Sequence, residues 1–294
     1  MRTSPSVPSR TMEASANKLP EGYRMSTFKR EADMLYPLTE NRHKFTSPRT
    51  RWEYFYEIQT PKGVADFVLA VFNRKVIDDR RNWGVHPIQS KSAIDIVSFL
   101  TTVQQNYELG SQASPIATTS EIAYRTLTSA SHVTQQLIPM LIEYGWVERT
   151  GRGQWRCKHA YQCPTTSIYA IEVKRSDWQR ALGQATSHTR FANKTFLAMD
   201  SERLPKTRNN LLAALEHAGV GLLSISADPI KEPLTVVANP SRKSPINNER
   251  FVVAERVLAV RGSGGNSGFW GHVFGRLLTT SSGEDPRKSA LLLT

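Results

Sequence analysis

The chain has 294 residues, 39% of them hydrophobic, with a net charge of +12 and a pI near 9.8. This length allows one large domain or two small ones, each with its own core. No apolar run approaches the roughly 18 residues that span a bilayer, and two cysteines exclude a disulfide scaffold. We therefore expect a cytoplasmic protein with no membrane partner, associated with the nucleoid if its source is prokaryotic. The excess of Lys and Arg favours a polyanionic partner.

The N-terminal region divides into two predicted segments. Residues 1–22 are rich in Ser and Pro and poor in aromatic residues, which predicts a disordered leader, with an organelle transit peptide as the alternative. From Ser26 to about Lys44 the pattern predicts a helix that is capped near its first residue and contains Glu31. Pro37 predicts a kink in this helix or an early end.

Two strands joined by a turn are predicted next. Residues 51–58 and 64–72 are rich in aromatic and β-branched side chains, and the QTPKG segment between them supplies Pro and Gly for a turn. We therefore predict a β-hairpin. The charged stretch that follows, NRKVIDDRRN, is interpreted as a connector.

The middle of the chain combines three predicted helices with two short strands. Apolar residues at helical spacing predict a helix over Ser92–Gln105, a capped helix begins at Ser120, and another runs from about Ser131 to Tyr144. The WVER and QWRCK segments flank a Gly-containing turn and predict the strands. This order resembles a winged helix-turn-helix over most of residues 92–158. Winged helices bind DNA or other proteins, so the resemblance implies one of these two partners.

The last part of the chain alternates predicted strands with helices. Strand–helix–strand–helix–strand order implies a partly parallel sheet with helices packed on it. The Gly- and Ser-rich sequence from Gly262 onward predicts a flexible tail. The predicted elements are strands at 167–174, 195–200 and 220–226, a helix directly after the first of these strands, and a helix at 209–219.

One predicted strand carries two charges among apolar residues. Glu172 and Lys174 are two positions apart, so they share a face of the strand and project roughly 7 Å from each other. Buried charges are costly unless they are paired, metal-bound or functional. A structural ion pair is the simplest explanation. A third charged residue, Asp66, lies early in the second hairpin strand, directly after the turn.

An acid at this place in a hairpin and a Glu-x-Lys pair on a further strand resemble the PD-(D/E)xK nuclease superfamily. The resemblance covers about residues 23–80 and 165–255. It matches Asp66 to the aspartate of the motif, Glu172 to its second acid and Lys174 to its lysine. This implies an α/β fold with a restriction-endonuclease-like mixed sheet flanked by helices and an inserted winged-helix domain.

The resemblance also implies roles for residues outside the three-residue motif. Glu31 corresponds to the acid that the first helix often supplies, with Glu57 as the alternative, and Gln184 corresponds to a glutamine on the helix after the lysine strand. Asp66 and Glu172 would bind Mg²⁺ (or Mn²⁺), because hard divalent cations take carboxylate oxygens. The resemblance makes the motif lysine the catalytic base, although orienting water or neutralising charge are alternative roles.

Two features depart from the superfamily pattern. No proline directly precedes Asp66, and Glu172 lies 106 positions after it in the chain. If the site is real, the two carboxylates should lie within about 8 Å of each other in the fold. The predicted organisation is a leader at 1–22, a nuclease core at 23–88 and 161–258, a winged-helix insertion at 89–160 and a tail at 259–294.

Basic and polar side chains in the winged-helix region are the predicted DNA contacts. The wing is rich in Arg and Lys with glycines at its tip, and the front of the second helix is polar. On the helix after the lysine strand, Arg180, Gln184 and His188 form a stripe that also predicts contact with a phosphate backbone. The predicted nucleic-acid contacts are Arg180, His132, Thr134, Gln135, Arg149, Arg152, Arg156 and Lys158.

Other groups with the chemistry for a site give weaker patterns. Cys157, His159 and Cys163 are close in sequence, but no fourth zinc ligand is evident. The histidines His132, His188 and His217 show no nucleophile-plus-acid pattern, so no catalytic role is predicted for them.

The sequence therefore predicts a metal-dependent DNA endonuclease that hydrolyses phosphodiester bonds. DNA is the expected partner, and a homodimer is allowed because cutting both strands usually takes two sites. One alternative is a non-enzymatic winged-helix DNA-binding regulator, whose α/β part serves dimerisation or ligand sensing. Another is a component of a mobile-element, repair or phage-defence assembly, which binds protein through the winged helix.

Overall fold

The computed structural model describes residues 27–205, 207–241 and 244–268, together with the backbone of 272–273 and 276–277. The predicted leader at 1–22 and the predicted tail after 268, apart from two short backbone strands, lie outside the described residues. Within them the fold is mixed α/β, with a six-stranded mixed sheet flanked by helices and a separate three-stranded sheet.

The strands are numbered in chain order. They are β1 Glu53–Thr60, β2 Gly63–Phe72, β3 Ala117–Thr118, β4 Val147–Gly151, β5 Gln154–Cys157, β6 Thr165–Lys174, β7 Lys194–Asp200, β8 Gly221–Ile225, β9 Leu234–Ala238, β10 His272–Val273 and β11 Arg276–Leu277. The α-helices are α1 Leu35–Glu40, α2 Arg74–Trp83, α3 Lys91–Glu108, α4 Thr119–Thr126, α5 Ala130–His132, α6 Ile138–Glu143, α7 Trp178–His188, α8 Asn209–Ala218 and α9 Asn247–Gly262. Among the described residues, no helix is long and apolar enough to cross a membrane.

The large sheet has the order β1-β2-β6-β7-β8-β9. Strands β6, β7 and β8 are parallel, and their other neighbours pair antiparallel. The predicted hairpin and the partly parallel sheet are thus confirmed. Phe67 of β2 pairs with Ile171 of β6, so the two predicted halves of the core are adjacent in one sheet although the middle of the chain separates them.

Both faces of the large sheet are buried. The N-terminal 3₁₀ turn (Glu31–Met34) and α1 cover one face, where Met34 and Leu38 pack against Phe67 and Ile171. Helix α9 covers part of the other face, where Val257 joins a cluster of small and branched side chains. Helices α7 and α8 cover the rest of that second face, over β7 and β8. A sheet covered on both faces explains why its strands are nearly continuous apolar runs.

Helices α3 to α6 and strands β3 to β5 share a second core. The fully buried Trp146 lies in it, with Leu100 of α3, Ile122 of α4 and Leu141 of α6. Val252 of α9 also belongs to this core, so α9 packs against both parts of the molecule. The small sheet has the order β3-β5-β4. The predicted helices and the two predicted strands of this region are present in the expected order, and the unpredicted short strand β3 lies between α3 and α4.

Local details of this region differ from the sequence expectation. The N-cap of α4 is Thr118, not Ser120, because Thr118 and Glu121 form a capping box in which each side chain accepts the other's backbone N–H. The helix predicted from Ser131 contains a π-helical stretch, Val133–Leu137, between α5 and α6. Pro139, the second residue of α6, has no N–H for the regular helical ladder, which accounts for the altered turn.

Two predictions near the N-terminal side are wrong in detail. The helix predicted over 26–44 is a 3₁₀ turn at Glu31–Met34, the short helix α1 and a second 3₁₀ turn at Arg42–Lys44. The predicted charged connector is the helix α2, whose N-cap Asn73 accepts a hydrogen bond from Val76 N. Charged side chains fill the exposed faces of α2, so its apolar signal was too weak to reveal the helix.

The predicted tail at 259–294 begins too early. Helix α9 continues to Gly262, and the segment Asn266–Gly268 then lies beside the edge strand β1. The N–H of Tyr56 donates to the Asn266 carbonyl at 2.7 Å, and the N–H of Gly268 donates to the Tyr56 carbonyl at 2.9 Å. Pairing with an open sheet edge is what orders this Gly- and Ser-rich sequence.

Candidate functional site

Strands β2 and β6 bring the three motif residues together on one face. Because Phe67 pairs with Ile171 in an antiparallel ladder, Asp66 and Glu172 are next to each other at the following position. One carboxylate oxygen of Asp66 accepts the backbone N–H of Val173 at 2.8 Å. That hydrogen bond fixes the Asp66 side chain against β6.

Lys174 is the centre of the cluster. Its ammonium nitrogen lies 3.3 Å from Glu172 Oε1, 3.9 Å from Asp66 Oδ2 and 3.2 Å from Glu31 Oε2. The Asp66 and Glu172 oxygens are therefore less than about 8 Å apart, as the site hypothesis required. The Glu172 and Asp66 side chains are only 1% and 10% exposed, so solvent screens this cluster weakly.

Glu31 reaches the cluster from the N-terminal 3₁₀ turn. Its second oxygen, Oε1, accepts the backbone N–H of Arg175 at 3.4 Å, so both carboxylate oxygens contact the end of β6. The alternative acid, Glu57, lies on β1 and has a left-handed backbone conformation, with φ of 49°. Of these two acids, Glu31 is the one that pairs with the motif lysine.

The cluster holds more negative charge than its lysine neutralises. Burial, followed by the nearby Glu172 carboxylate, raises the pKa of Asp66 to about 8. Burial alone would lower the pKa of Lys174, but the charges of Asp66, Glu172 and Glu31 outweigh it and the pKa is raised. Lys174 is thus held as an ammonium ion, which favours charge neutralisation and hydrogen-bond donation over the expected role of base.

His188 is a member of the site that the sequence did not predict. Its Nε2 lies 3.3 Å from Glu172 Oε2, and its side chain is 2% exposed. The predicted surface stripe of Arg180, Gln184 and His188 is therefore wrong for His188. The inward stripe of α7 is Ala181, Ala185 and His188, at helical spacing of four and three. That spacing is the sequence feature that could have placed His188 on the buried face of the helix.

Gln184 lies on the same helix and is partly buried. Its side-chain oxygen is shielded from solvent and has no hydrogen-bond partner among the described residues. Unsatisfied buried oxygens are rare and need an explanation, such as a ligand or an ordered water. In the described part of the chain, no hydrogen bond joins the Gln184 side chain to the other motif residues, so its role stays a prediction.

The donor set fits a hard divalent cation. Mg²⁺ is usually held by one or two carboxylates together with water and substrate phosphate. In the described ranges, no group of three or more His, Cys, Asp or Glu side chains is spaced to hold a metal ion. Asp66 and Glu172 supply two carboxylates, however, and Oε1 of Glu172 is buried without a hydrogen-bond partner there. Lys174 is the cation that lies among these carboxylates.

The predicted DNA contacts of the small sheet are on the surface. Arg152 is at the tip of the β4–β5 hairpin and is exposed, as is Lys158 beyond β5. Arg149 lies over the Trp155 ring, with its guanidinium carbon 6.0 Å from the ring centroid. Arg156 pairs with Glu148 on the neighbouring strand, which neutralises part of this basic surface.

Polar residues at the start of the helix predicted from Ser131 are also accessible, but the Thr134 hydroxyl is already used in a hydrogen bond. Gln135 is exposed and His132 is half-buried. The hydroxyl of Thr134 is exposed but donates to the Ala130 carbonyl at 2.9 Å, so in this arrangement its proton serves the helix itself. Arg180 is exposed and lies on the first turn of α7, the helix that follows the strand of Glu172 and Lys174.

The cysteine–histidine group does not form a zinc site. The buried Cys157 thiol donates to the His159 carbonyl at 2.8 Å, and burial raises the pKa of this thiol to about 11. The His159 ring stacks on Trp83, with ring centroids 4.4 Å apart. Cys163 lies near the Thr165 hydroxyl. The three side chains thus have separate partners, and thiolate ligands are disfavoured.

Comparison with known proteins adds no relative. No family model, no curated protein and no solved structure matches this chain. The site's own geometry is therefore the basis for inferring the function.

Proposed function

We propose that the protein is a metal-dependent DNA endonuclease with a restriction-endonuclease-like core and an inserted winged-helix domain. The observation that carries the proposal is the position of Lys174. Its ammonium lies within 4 Å of carboxylates from three different elements, β2, β6 and the N-terminal turn. A single structural ion pair needs one carboxylate, so this surplus of buried acid favours a site over a simple core pair.

In the proposed phosphodiester hydrolysis, different residues of the chain have different roles. Asp66 and Glu172 would hold Mg²⁺ or Mn²⁺, which, when bound, polarises the phosphate and lowers the pKa of bound water. Lys174 carries a positive charge beside them and neutralises charge that develops on the phosphate oxygens. Glu31 holds Lys174 and the Arg175 backbone, and so fixes the lysine at the end of β6.

The helical group with β3 to β5 is proposed to bind DNA. Its helices and its β4–β5 hairpin follow the order of a winged helix-turn-helix, and exposed Arg149 and Arg152 lie in the hairpin. Arginines at such a tip can neutralise phosphates, so binding should weaken steeply as salt rises.

The test of the nuclease is cleavage of supercoiled plasmid with Mg²⁺, Mn²⁺ or EDTA. We expect metal-dependent nicking or linearisation by the wild type, and a loss of at least about 100-fold in Lys174→Ala and Asp66→Asn. Lys44→Ala is the matched control, because Lys44 forms an ion pair with Glu232 beside β9, away from the cluster. The proposal fails if the wild type does not cut with either metal, or if both site variants cut as it does.

DNA binding is tested separately from cleavage. Arg149→Ala with Arg152→Ala should weaken binding and reduce the slope of log affinity against log salt by roughly 2, since each phosphate contact contributes about 0.9. A gel-shift titration at several salt concentrations measures this slope. If binding persists without any cleavage, the non-enzymatic regulator becomes the better account. If the chain neither binds nor cuts, the assembly component does.

A further inference from the structure

The two oxygens of the Glu172 carboxylate have different neighbours. Oε1 lies 3.3 Å from Lys174 and is buried without a hydrogen bond within the described residues, whereas Oε2 lies 3.3 Å from Nε2 of His188. Glu172 itself is fully buried. One oxygen therefore faces the carboxylate cluster and the other faces helix α7.

The direction of the contact with His188 follows from the chemistry of the two groups. A carboxylate anion can only accept hydrogen bonds, so when Glu172 is an anion this contact requires Nε2 to be the donor and Oε2 the acceptor. The other ring nitrogen, Nδ1, lies 3.4 Å from the Ser187 hydroxyl. The Phe191 ring packs against the imidazole, with ring centroids 5.4 Å apart.

We propose that His188 is a positioning residue for the metal ligand Glu172, an inference that rests on the proposed nuclease function. By holding Oε2, His188 keeps the carboxylate in the rotamer that presents Oε1 to the cation site. Hydrogen bonds to the far side of a ligating carboxylate orient it, and their loss typically weakens metal binding 10- to 100-fold.

A purely structural hydrogen bond would give a different result. Such a bond satisfies two buried polar groups and affects the free energy of unfolding, but it leaves metal affinity unchanged once the protein is folded. Metal binding by the folded protein is therefore the quantity that separates the two roles.

The experiment compares two amide substitutions of different length. In His188→Gln the amide nitrogen takes the place of Nε2 and can still donate to Glu172, whereas the shorter amide of His188→Asn reaches only the Nδ1 position beside Ser187. The matched control is His217→Asn, because His217 is an exposed histidine in the last turn of α8. Should His188→Asn not fold, His188→Leu replaces it as the variant without a donor.

Mn²⁺ binding is measured by calorimetry on each folded variant, and plasmid cleavage is measured across a range of Mn²⁺ concentrations. We expect His188→Asn to bind Mn²⁺ at least about 10-fold more weakly and to need correspondingly more Mn²⁺ for half-maximal cleavage. His188→Gln should lie within about threefold of the wild type, and His217→Asn should match it.

The outcomes separate this inference from the proposed function. If the wild type binds Mn²⁺ and cuts DNA but His188→Asn does so equally well, the positioning role is wrong and the nuclease stands. Equal weakening in the Gln and Asn variants also overturns the positioning role, because the retained donor would then have no effect. A wild type that neither binds Mn²⁺ nor cuts overturns the nuclease, and with it the role of His188.

Discussion

Asp66 is buried beside another carboxylate, which raises its pKa from an ordinary value of 3.8 to about 8. An unfolded chain loses this proton near pH 4, whereas the folded protein keeps it until about pH 8. The contribution of Asp66 to the free energy of unfolding is therefore complete below pH 4, and it is lost as the pH rises from about 4 to about 8. The free energy of unfolding should change by on the order of 1 kcal/mol for each unit of difference between the folded and unfolded pKa values.

Asp66→Asn should remove this dependence. Asparagine carries no titrating proton, and its side-chain oxygen can still accept the Val173 N–H. In EDTA, we expect the variant to gain stability relative to the wild type as the pH rises from 4 to 9, with most of the gain below pH 8. Urea unfolding at four or five pH values measures the difference. Parallel pH profiles for the two proteins would show that Asp66 ionises normally in the fold.

Residue-scale features were predictable from sequence where strand alternation made them visible. Glu172 and Lys174 stood out because charges interrupt an apolar strand, and Asp66 stood out because it follows a turn. His188 did not stand out, because polar residues occur on more than one stripe of the helix α7. The sequence alone does not say which stripe faces the sheet. Small residues at Ala181 and Ala185 decide that question, since they allow α7 to approach β6 and β7 closely.

At the scale of elements, the segment Asn266–Gly268 depends on a glycine. A Cβ atom built on Gly268 would collide with the backbone carbonyl oxygen of Glu57 on β1. Gly268→Ala should therefore displace the segment and break its two hydrogen bonds to Tyr56, each worth about 1 kcal/mol. Amide hydrogen exchange at Tyr56 should become at least about 10-fold faster.

Gly265→Ala is the control for this prediction. A Cβ atom there would lie 3.7 Å from its nearest neighbour, the Ser263 hydroxyl oxygen, which is an ordinary contact. This variant should leave Tyr56 protected. If Gly268→Ala also leaves exchange at Tyr56 unchanged, the segment does not pair with β1 in solution.

Most elements with a strong apolar period were predicted, whereas helices α2 and α9 and the short strand β9 were not. Strands β2 and β6 and helices α3 and α8 have clear patterns and match the expected ranges closely. Helix α2 buries only Val76 and Arg80, so its ten residues resemble a polar connector. The pairing of Asn266–Gly268 with β1 is a tertiary contact, and nothing local in a Gly-rich sequence reveals such a contact.

At the scale of the whole molecule, a buried ion pair between α2 and α9 lies against the core of the helical group, which is α3 to α6 with β3 to β5. Arg80 of α2 lies 2.8 Å from Glu255 of α9, with side-chain exposures of 5% and 0%. Glu255 also accepts hydrogen bonds from the Tyr161 hydroxyl and the Ile88 N–H. The Arg80 guanidinium lies over the Trp146 ring, in the core of the helical group. The helical group and α9 are therefore joined through polar groups as well as through apolar packing.

The sequence predicted that residues 89–160 separate two halves of one core, and in the structure strands β2 and β6, which precede and follow that stretch, are paired. It did not predict how the middle region is attached. Both partners of the ion pair lie on helices that were not predicted from the sequence, α2 and α9, and they are 175 positions apart. A pair of charges at that separation has no local signature, because either residue alone resembles an ordinary surface charge.

The attachment can be tested with a double-mutant cycle. Arg80→Met leaves the Glu255 charge buried without its partner, and Glu255→Met does the same to Arg80, so each substitution should destabilise the protein by about 3–5 kcal/mol. The double variant should cost less than the sum, because no unpaired charge remains. Arg81→Ala is the control: its exposed pair with Asp78, at 3.6 Å, should contribute less than about 1 kcal/mol. Urea unfolding measures all four variants, and single losses as small as that of Arg81→Ala would show that the two parts are joined by apolar packing alone.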